Sequence, residues 1–332
     1  MIEPLSTRRP HLVIVRAGEL SLHREWLSLD GERTFDLWIS YYGDQPGKYA
    51  GEAEYYSESK GSKYPALFEL IAANQQVIFQ YESVWLADDD LRVDGGTLNR
   101  MFEMFHDRSL RLAVPAFTQN APCPVMSRRL DYSVRYAHYV DARAPLFSRE
   151  SLQLCWPTFG RSLTGLHLGL VWAKLLGYPE RGIAILDSTP VKHSRPVGEG
   201  DQYRAVTQLY GTAHVNGYDA AILAEFGVDP ANAGNVSFYD GEKAWNPWLA
   251  PVTKESRVKR NTSSGKMAGG GRIGKKKSKR NKAPVRRSGA RMRTRIRTGF
   301  RSRKRKLTSV RKLRAIPKTA SRRNVRTKRR AA

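Results

Sequence analysis

Cysteine is scarce in this chain, and the signatures of several enzyme classes are missing. Two cysteines, Cys123 and Cys155, occur among 332 residues, and neither belongs to a CxxC pair or a Cys/His cluster. This argues against a disulfide framework or a structural zinc site, and it fits a reducing compartment. The sequence also lacks GxSxG, GxxxxGK[ST] and HExxH motifs, and no GxGxxG pattern follows a strand. Serine hydrolases with a nucleophile elbow, P-loop enzymes, zincins and Rossmann-type dehydrogenases therefore find no support.

Long apolar runs are also absent. No stretch reaches the roughly 18 residues expected of a membrane-spanning helix. Residues 1–10 combine an acid, prolines and paired arginines before a short apolar run, which is not the layout of a secretory signal peptide. We expect a cytoplasmic protein without a transmembrane segment.

Acidic residues are nearly missing from the last quarter of the chain. Of the 57 Lys and Arg residues, 33 lie between Lys254 and Ala332, where Glu255 is the one acid. The first 253 residues are slightly acidic, so the formal net charge of +26 arises from the tail. Because the tail has one aromatic residue and few aliphatics, it cannot bury enough apolar surface to offset chain entropy. The sequence predicts an α/β domain in residues 1–253 and a disordered basic tail in residues 254–332.

The basic runs of the tail, such as 274–282 and 301–306, favour binding to a polyanion. Almost no aromatic residues are interleaved with them. Neutralisation of phosphates is therefore the chemistry they offer, and base stacking is not. Nucleic acid is the expected partner, and the alternatives are an anionic membrane surface, an acidic polymer and a simple solubility extension.

The first 253 residues alternate between short apolar runs and helix-like segments. This alternation predicts an α/β layered domain with a largely parallel sheet. Strand-like runs occur at 11–15, 34–42, 110–117, 132–145 and 182–186, and helix-like segments at 21–27, 65–73, 97–105, 149–155, 166–176 and 203–226.

An acidic triplet is the most informative motif. The segment 84–90 reads VWLADDD, so an apolar strand delivers Asp88, Asp89 and Asp90 at its carboxyl end, where α/β sheets collect ligands. Three adjacent carboxylates repel one another. A hard cation, Mg²⁺ or Mn²⁺, removes that repulsion and can bridge to diphosphate oxygens. A solvated acidic turn, or a helix cap before Leu91, is the alternative interpretation.

The triplet belongs to a longer pattern of four segments. These are 84–91 (VWLADDDL), 144–149 (APLFSR), Thr164-Gly165 and 182–196 (GIAILDSTPVKHSRP). In this order and spacing they resemble a glycosyltransferase-like family of unknown function with plant and bacterial members, sometimes labelled after lysine-ketoglutarate reductase trans-splicing. That family is similar to the GT-A nucleotide-sugar transferases. The resemblance covers residues 11–205 and implies a GT-A-like fold, with a mostly parallel sheet flanked by helices.

The resemblance assigns roles to the acidic triplet and to one histidine. Asp88 and Asp90 match the D-x-D aspartates, which implies that they bind a metal and the diphosphate and ribose of a sugar nucleotide, with Asp89 between them against the sugar or ribose. His193 matches a histidine that completes the metal shell; an ordinary loop histidine is the alternative. The implied cofactor is Mn²⁺ or Mg²⁺, since a shell of carboxylates and imidazole suits Mn²⁺. The implied donor is a nucleotide-diphosphate sugar.

Strand ends supply further candidate binding residues. Arg16 and Gly18 follow the first strand, and Tyr42 and Asp44 follow the second, where they can contact the nucleoside. Lys63 precedes a helix-like segment and can neutralise a phosphate. Packing tyrosines and a solvated surface lysine are the alternatives for these positions.

The pattern departs from the family where the acceptor-activating base is expected. Relatives carry an Asp five residues after the Thr of Thr164-Gly165, whereas this chain has Gly169. Asp187, Asp201 or His167 can substitute if one of them reaches the acceptor hydroxyl with a suitable pKa. Otherwise the reaction proceeds with retention, or the domain binds without turnover. A glycosyltransferase and a catalytically inactive scaffold with a nucleic-acid-binding tail both remain open, as does a transferase acting on a nucleic-acid-bound target.

Overall fold

The structure of this protein is a computed structural model that describes residues 2–196, 198–229 and 238–244. These residues lie within one compact unit, Met1–Asn261. The predictions for the basic tail, residues 254–332, fall outside the described residues. Within the described part of the chain, no helix is long and apolar enough to cross a membrane.

A mixed sheet, mostly parallel, forms the centre of the fold. Its strands are β1 (His11–Ala17), β2 (Phe35–Tyr41), β3 (Tyr55–Glu58), β4 (Ser83–Asp88), β5 (Leu91–Arg92), β6 (Leu112–Phe117), β7 (Tyr132–Ala137), β8 (Leu146–Ser148), β9 (Ile183–His193) and β10 (Phe238–Lys243). The order is β10-β7-β9-β6-β8-β4-β1-β2-β3, and β5 pairs with β9 outside it. All strands in that order except β7 and β8 point the same way. The predicted α/β class with a largely parallel sheet is confirmed.

Helices connect the strands. They are α1 (His23–Trp26), α2 (Lys63–Ala73), α3 (Gln75–Ile78), α4 (Gly95–Asp107), α5 (Arg149–Cys155), α6 (Leu168–Leu175), α7 (Asp201–Tyr210) and α8 (Thr212–Glu225). Side chains cap two of them: Asp94 accepts from the Thr97 amide before α4, and Ser148 accepts from the Ser151 amide before α5. Each cap satisfies an amide that the first helical turn leaves unpaired.

Buried tryptophans link the core to the carboxyl ends of the strands. Every residue of β1, β2 and β6 is buried, as expected for strands covered on both faces. The indole of Trp26 donates to the Leu91 carbonyl (2.8 Å), and that of Trp85 donates to the Ala144 carbonyl (3.0 Å). Leu91 lies in β5, directly after the acidic triplet, and Ala144 lies in the loop between β7 and β8, so core packing fixes the backbone at both points.

Candidate active site

The acidic triplet lies where β4 ends and the chain turns into β5. Backbone hydrogen bonds hold this turn on both sides: the Leu22 amide donates to the Asp89 carbonyl (2.8 Å), and the Ser194 amide donates to the Asp90 carbonyl (3.0 Å). The three carboxylates therefore have a fixed backbone at the carboxyl edge of the sheet, as the sequence predicted.

His193 reaches the triplet because β9 is longer than its apolar run. The predicted strand at 182–186 continues to His193, which pairs with Leu91 in the β5–β9 ladder. The His193 Nε2 atom lies 3.3 Å from Asp90 Oδ1, and one ligand atom each from Asp88, Asp90 and His193 lies within 4.8 Å of the others. The structure thus brings together the three residues of the predicted metal site.

The chemistry of these side chains fits a divalent cation. The Nδ1 atom of His193 is buried and has no hydrogen-bond partner. Burial lowers the pKa of His193, which favours the neutral form of the imidazole that binds a metal. Two carboxylates and one imidazole are a donor set that Mn²⁺ accepts, and Mg²⁺ accepts the carboxylates.

Asp89 ties three parts of the site together. Its carboxylate accepts from the Gly18 amide (2.7 Å) and the Tyr42 hydroxyl (3.2 Å), and it lies 3.4 Å from the Arg195 guanidinium. Burial raises the pKa of Asp89 to about 6 despite these contacts. A side chain at residue 18 would collide with Tyr42, since a Cβ there would lie 2.5 Å from the phenolic oxygen. Asp89 therefore organises the pocket wall, and glycine at 18 permits the close approach.

Two cations offset the charge of the triplet. Lys63, at the start of α2, is buried and its Nζ donates to Asp88 Oδ1 (2.7 Å) and to the Arg143 carbonyl (2.6 Å). Arg195 lies 3.4 Å from Asp89 and 3.9 Å from Asp90. These cations stabilise the carboxylates and also line the space into which a ligand would enter.

That space is a pocket of about 420 Å³. Ligand pockets in proteins have volumes of roughly 300–1,000 Å³. Its charged and polar lining includes Arg16, Tyr42, Lys63, Asp88, Asp89, Asp90, Asp141, Arg143, Thr164, His193, Arg195, Asp201, Gln202, Tyr203 and Asn216. Three lining residues carry a buried polar atom without a partner, namely Arg16 Nε, His193 Nδ1 and Gln202 Nε2. Since buried polar groups are normally paired, these atoms have hydrogen-bonding capacity left for a polar ligand or for water.

Arg16 lies in the floor of the pocket. Its terminal nitrogens donate to the hydroxyls of Ser40 and Ser59 (2.8 Å each) and to the Gly61 carbonyl (3.0 Å). Its guanidinium lies 5.4 Å from the ring centre of Tyr42. Burial lowers the pKa of Arg16 to about 10, so it remains cationic at neutral pH.

A buried carboxylate holds the loop that contains Thr164-Gly165. Asp219, on α8, has no exposed surface and accepts from the Ser162 hydroxyl (3.0 Å) and the Leu163 amide (2.6 Å). It also accepts from the amide (3.1 Å) and the hydroxyl of Thr164. The loop therefore depends on α8, which lies beyond the segment that carries the family resemblance.

The three predicted bases lie in different surroundings. Asp201, the first residue of α7, lines the pocket and is more than half exposed. His167 precedes α6 with a φ of 68° and is not among the lining residues. Asp187 is fully buried instead, where Arg135 Nε donates to Oδ2 (2.7 Å) and the Arg129 amide donates to Oδ1 (2.7 Å). Because Asp187 pairs with Arg135 away from the pocket, we withdraw it as a candidate base.

Two predicted nucleotide contacts also lie outside the pocket lining. The Asp44 side chain is 95% exposed and pairs with Lys60, so it faces solvent. Gly18 contacts Asp89 and not the pocket itself. In contrast, Arg16, Tyr42 and Lys63 all line the pocket.

Sequence reasoning missed several lining residues. Asp141 and Arg143 lie in the loop between β7 and β8 and pair with each other at 3.3 Å. Arg195 follows His193 by two residues, inside the 182–196 segment, which was the one available signal for it. Gln202 and Asn216 come from α7 and α8 and had no signal in the sequence.

The backbone at Gly169 has no room for an aspartate, the residue that the sequence resemblance led us to expect there. A Cβ at residue 169 would lie 3.0 Å from the Val140 carbonyl carbon and much nearer to its oxygen. Helix α6 therefore packs directly on the backbone of the loop before Asp141. A base at residue 169 is therefore excluded by packing. Outside the triplet, Asp141 and Asp201 are the carboxylates that line the pocket.

Comparisons with known proteins give limited likenesses. No family model and no curated protein matches this chain. Among solved structures, the chain is similar to S. aureus TarS at 15% identity and a TM-score of 0.40, over 65% of this chain and 42% of the other. It is also similar to the TarS 1–349 structure at 12% identity and a TM-score of 0.39, over 60% of this chain and 63% of the other. The chain thus spans less than two thirds of either structure.

Proposed function

We propose that this protein is a metal-dependent glycosyltransferase that binds a nucleotide-diphosphate sugar in the pocket beside the acidic triplet. One observation carries the proposal. The sheet topology brings Asp88, Asp90 and His193 together in a pocket that also contains Lys63, Arg195 and unpaired buried polar atoms. Carboxylates and cations in one cleft suit a ligand that arrives with both a divalent cation and phosphates.

Asp88, Asp90 and His193 would hold Mn²⁺ or Mg²⁺. When bound, the cation stabilises the negative charge that develops on the leaving diphosphate. Asp89 keeps its contacts with Gly18 and Tyr42 and maintains the position of the neighbouring carboxylates.

The cationic side chains bind the diphosphate. Arg195 and Lys63 already have carboxylate partners, so their positions are set before the ligand enters. Preorganised charges cost little reorganisation when negative charge develops. Arg143, which is less buried and also lines the pocket, supplies a further positive charge.

Arg16 and Tyr42 bind the nucleoside end of the donor. The unpaired Nε of Arg16 is available to an acceptor atom of the ligand, and Tyr42 offers an aromatic face beside it. Asp141 or Asp201 accepts the proton of the acceptor hydroxyl, since both carboxylates line the pocket.

Calorimetry of the full-length protein tests donor binding. Nucleoside diphosphates would be titrated with and without Mn²⁺, in enough salt to screen the basic tail. We expect Mn²⁺-dependent binding that weakens at least about tenfold in Asp90→Asn and is unchanged in Asp44→Asn, whose carboxylate faces solvent. The proposal is overturned if no nucleotide binds, or if Asp90→Asn binds like the unaltered protein.

The closed base position favours a second candidate, in which the domain binds a nucleotide-sugar without transferring it. Incubation with a radiolabelled sugar nucleotide separates the two. Transfer or hydrolysis that is lost in Asp141→Asn or Asp201→Asn supports the enzyme. Tight binding with no turnover supports the scaffold, and binding of nucleic acid by the tail stays a prediction.

A further inference from the structure

We propose that His11, Glu82 and His106 form a zinc-binding site at the amino-terminal edge of the sheet. One ligand atom from each lies within 4.8 Å of the others. His11 begins β1, Glu82 immediately precedes β4, and His106 lies in the last turn of α4. Arg16 of the pocket lies near the opposite end of β1, five residues and about 17 Å away at 3.3 Å per residue. This site is therefore separate from the acidic triplet.

His11 is positioned as a metal-binding histidine usually is. Its ring is buried and stacks on Phe102 at 4.4 Å with an angle of 10° between the planes. Its Nδ1 atom lies 3.1 Å from the Ser83 hydroxyl. When Nδ1–H donates to that hydroxyl, Nε2 keeps its lone pair, and such an outer hydrogen bond commonly fixes the orientation of metal-bound imidazoles.

The second imidazole has a suitable separation from the first. The ring centres of His11 and His106 are 4.9 Å apart. Two imidazoles on one tetrahedral zinc, with Zn–N bonds of about 2.1 Å, have ring centres about 5 Å apart. The two rings therefore need little movement to share a cation.

Glu82 supplies the third ligand. Its Oε2 lies 3.7 Å from His106 Nε2, and its backbone is held by a hydrogen bond from its amide to the Pro10 carbonyl (2.8 Å). The side chains of Glu82 and His106 are 56% and 40% exposed, so they are free to close on a cation. Two imidazoles and one carboxylate are a set that Zn²⁺ binds with a fourth position left for water.

Zinc in this site would join α4 to the two central strands. The three ligands come from separate segments of the chain, so binding requires the folded arrangement and stabilises it. The consequence is a stability that depends on zinc and that involves none of the pocket residues.

The test uses the full-length, metal-free protein with His193→Gln, which removes the imidazole of the pocket. We expect calorimetry to show binding of one Zn²⁺, weakened at least about tenfold by His106→Gln. His138→Gln, which removes another exposed histidine, is the matched control and retains binding. Because His106 and His138 both lie at the surface, each variant should fold, as circular dichroism can verify.

Thermal unfolding supplies the second readout. Zn²⁺ should raise the Tm of the His138→Gln protein and leave that of His106→Gln unchanged. The inference is overturned if Zn²⁺ does not bind, or if His106→Gln binds it as tightly as His138→Gln does.

Discussion

Replacing Gly169 by alanine should destabilise the domain substantially. A methyl group there would lie 3.0 Å from the Val140 carbonyl carbon and closer still to the oxygen, where ordinary carbon contacts begin near 3.4 Å. The obstacle is buried backbone, which cannot rotate aside as a flexible side chain can. Overpacking of this kind costs about 1–3 kcal/mol, and a backbone obstacle falls at the upper end of that range.

Gly217→Ala is the matched control for this prediction. Gly217 lies inside α8 and is exposed, and a Cβ at this residue would meet nothing within 4 Å. Alanine there should stabilise the helix by about 1 kcal/mol, because glycine is the poorer helix former. The two glycine-to-alanine changes should therefore differ by about 2–4 kcal/mol with opposite signs.

Urea unfolding and calorimetric melting would measure the pair. A domain of this size shifts its Tm by about 2–4 °C per kcal/mol. We expect Gly169→Ala to melt several degrees below the unaltered protein and Gly217→Ala to melt above it. If Gly169→Ala is as stable as the unaltered protein, α6 does not pack on the Val140 backbone, and the explanation for the missing aspartate fails.

Three further predictions concern buried polar groups. Asp187→Asn leaves Arg135 buried without its counter-charge, so urea unfolding should show that the free energy of unfolding falls by about 3–5 kcal/mol. An unchanged unfolding midpoint would contradict the buried ion pair. Burial lowers the pKa of His11 from 6.5 to about 4 in the folded protein. As the pH falls, the unfolded chain therefore binds a proton at His11 before the folded protein does. Stability measured in chelator should fall by up to about 3 kcal/mol as pH drops from 6.5 to 4, and His11→Gln should lack this component. Asp219→Ala removes the acceptor for the Thr164 amide and hydroxyl, so it should lower the free energy of unfolding by about 2–4 kcal/mol and weaken nucleotide binding. If the variant binds nucleotide as tightly as the unaltered protein, this loop does not contribute to the binding site.

Local apolar runs were sufficient to predict most of the sheet and the helices around it. The runs at 11–15 and 110–117 became β1 and β6, because strands buried on both faces are apolar at nearly every position. β3 and β8 were not predicted as separate strands. They are only four and three residues long, and they exist because a neighbouring strand supplies their hydrogen bonds.

The residues of the candidate site were likewise predictable only where local sequence features mark them. The acidic triplet was evident from the sequence, since the apolar run before it and the carboxylates at its end are local features. The same local logic placed Asp187 and Asp44 at strand ends, yet one is paired with buried Arg135 and the other faces solvent. Which side of a strand end faces the pocket depends on partners far away in the chain.

The sequence by itself determined the α/β class, the acidic motif and the concentration of positive charge in residues 254–332, because composition and periodicity are properties of neighbouring residues. Only the tertiary structure decided that His193 meets Asp90, that Asp141 and Arg195 enter the pocket, and that Gly169 is closed off by Val140. Those contacts depend on strand register and on backbone packing across many residues. The register of β5 against β9 therefore matters to the site as much as the triplet itself.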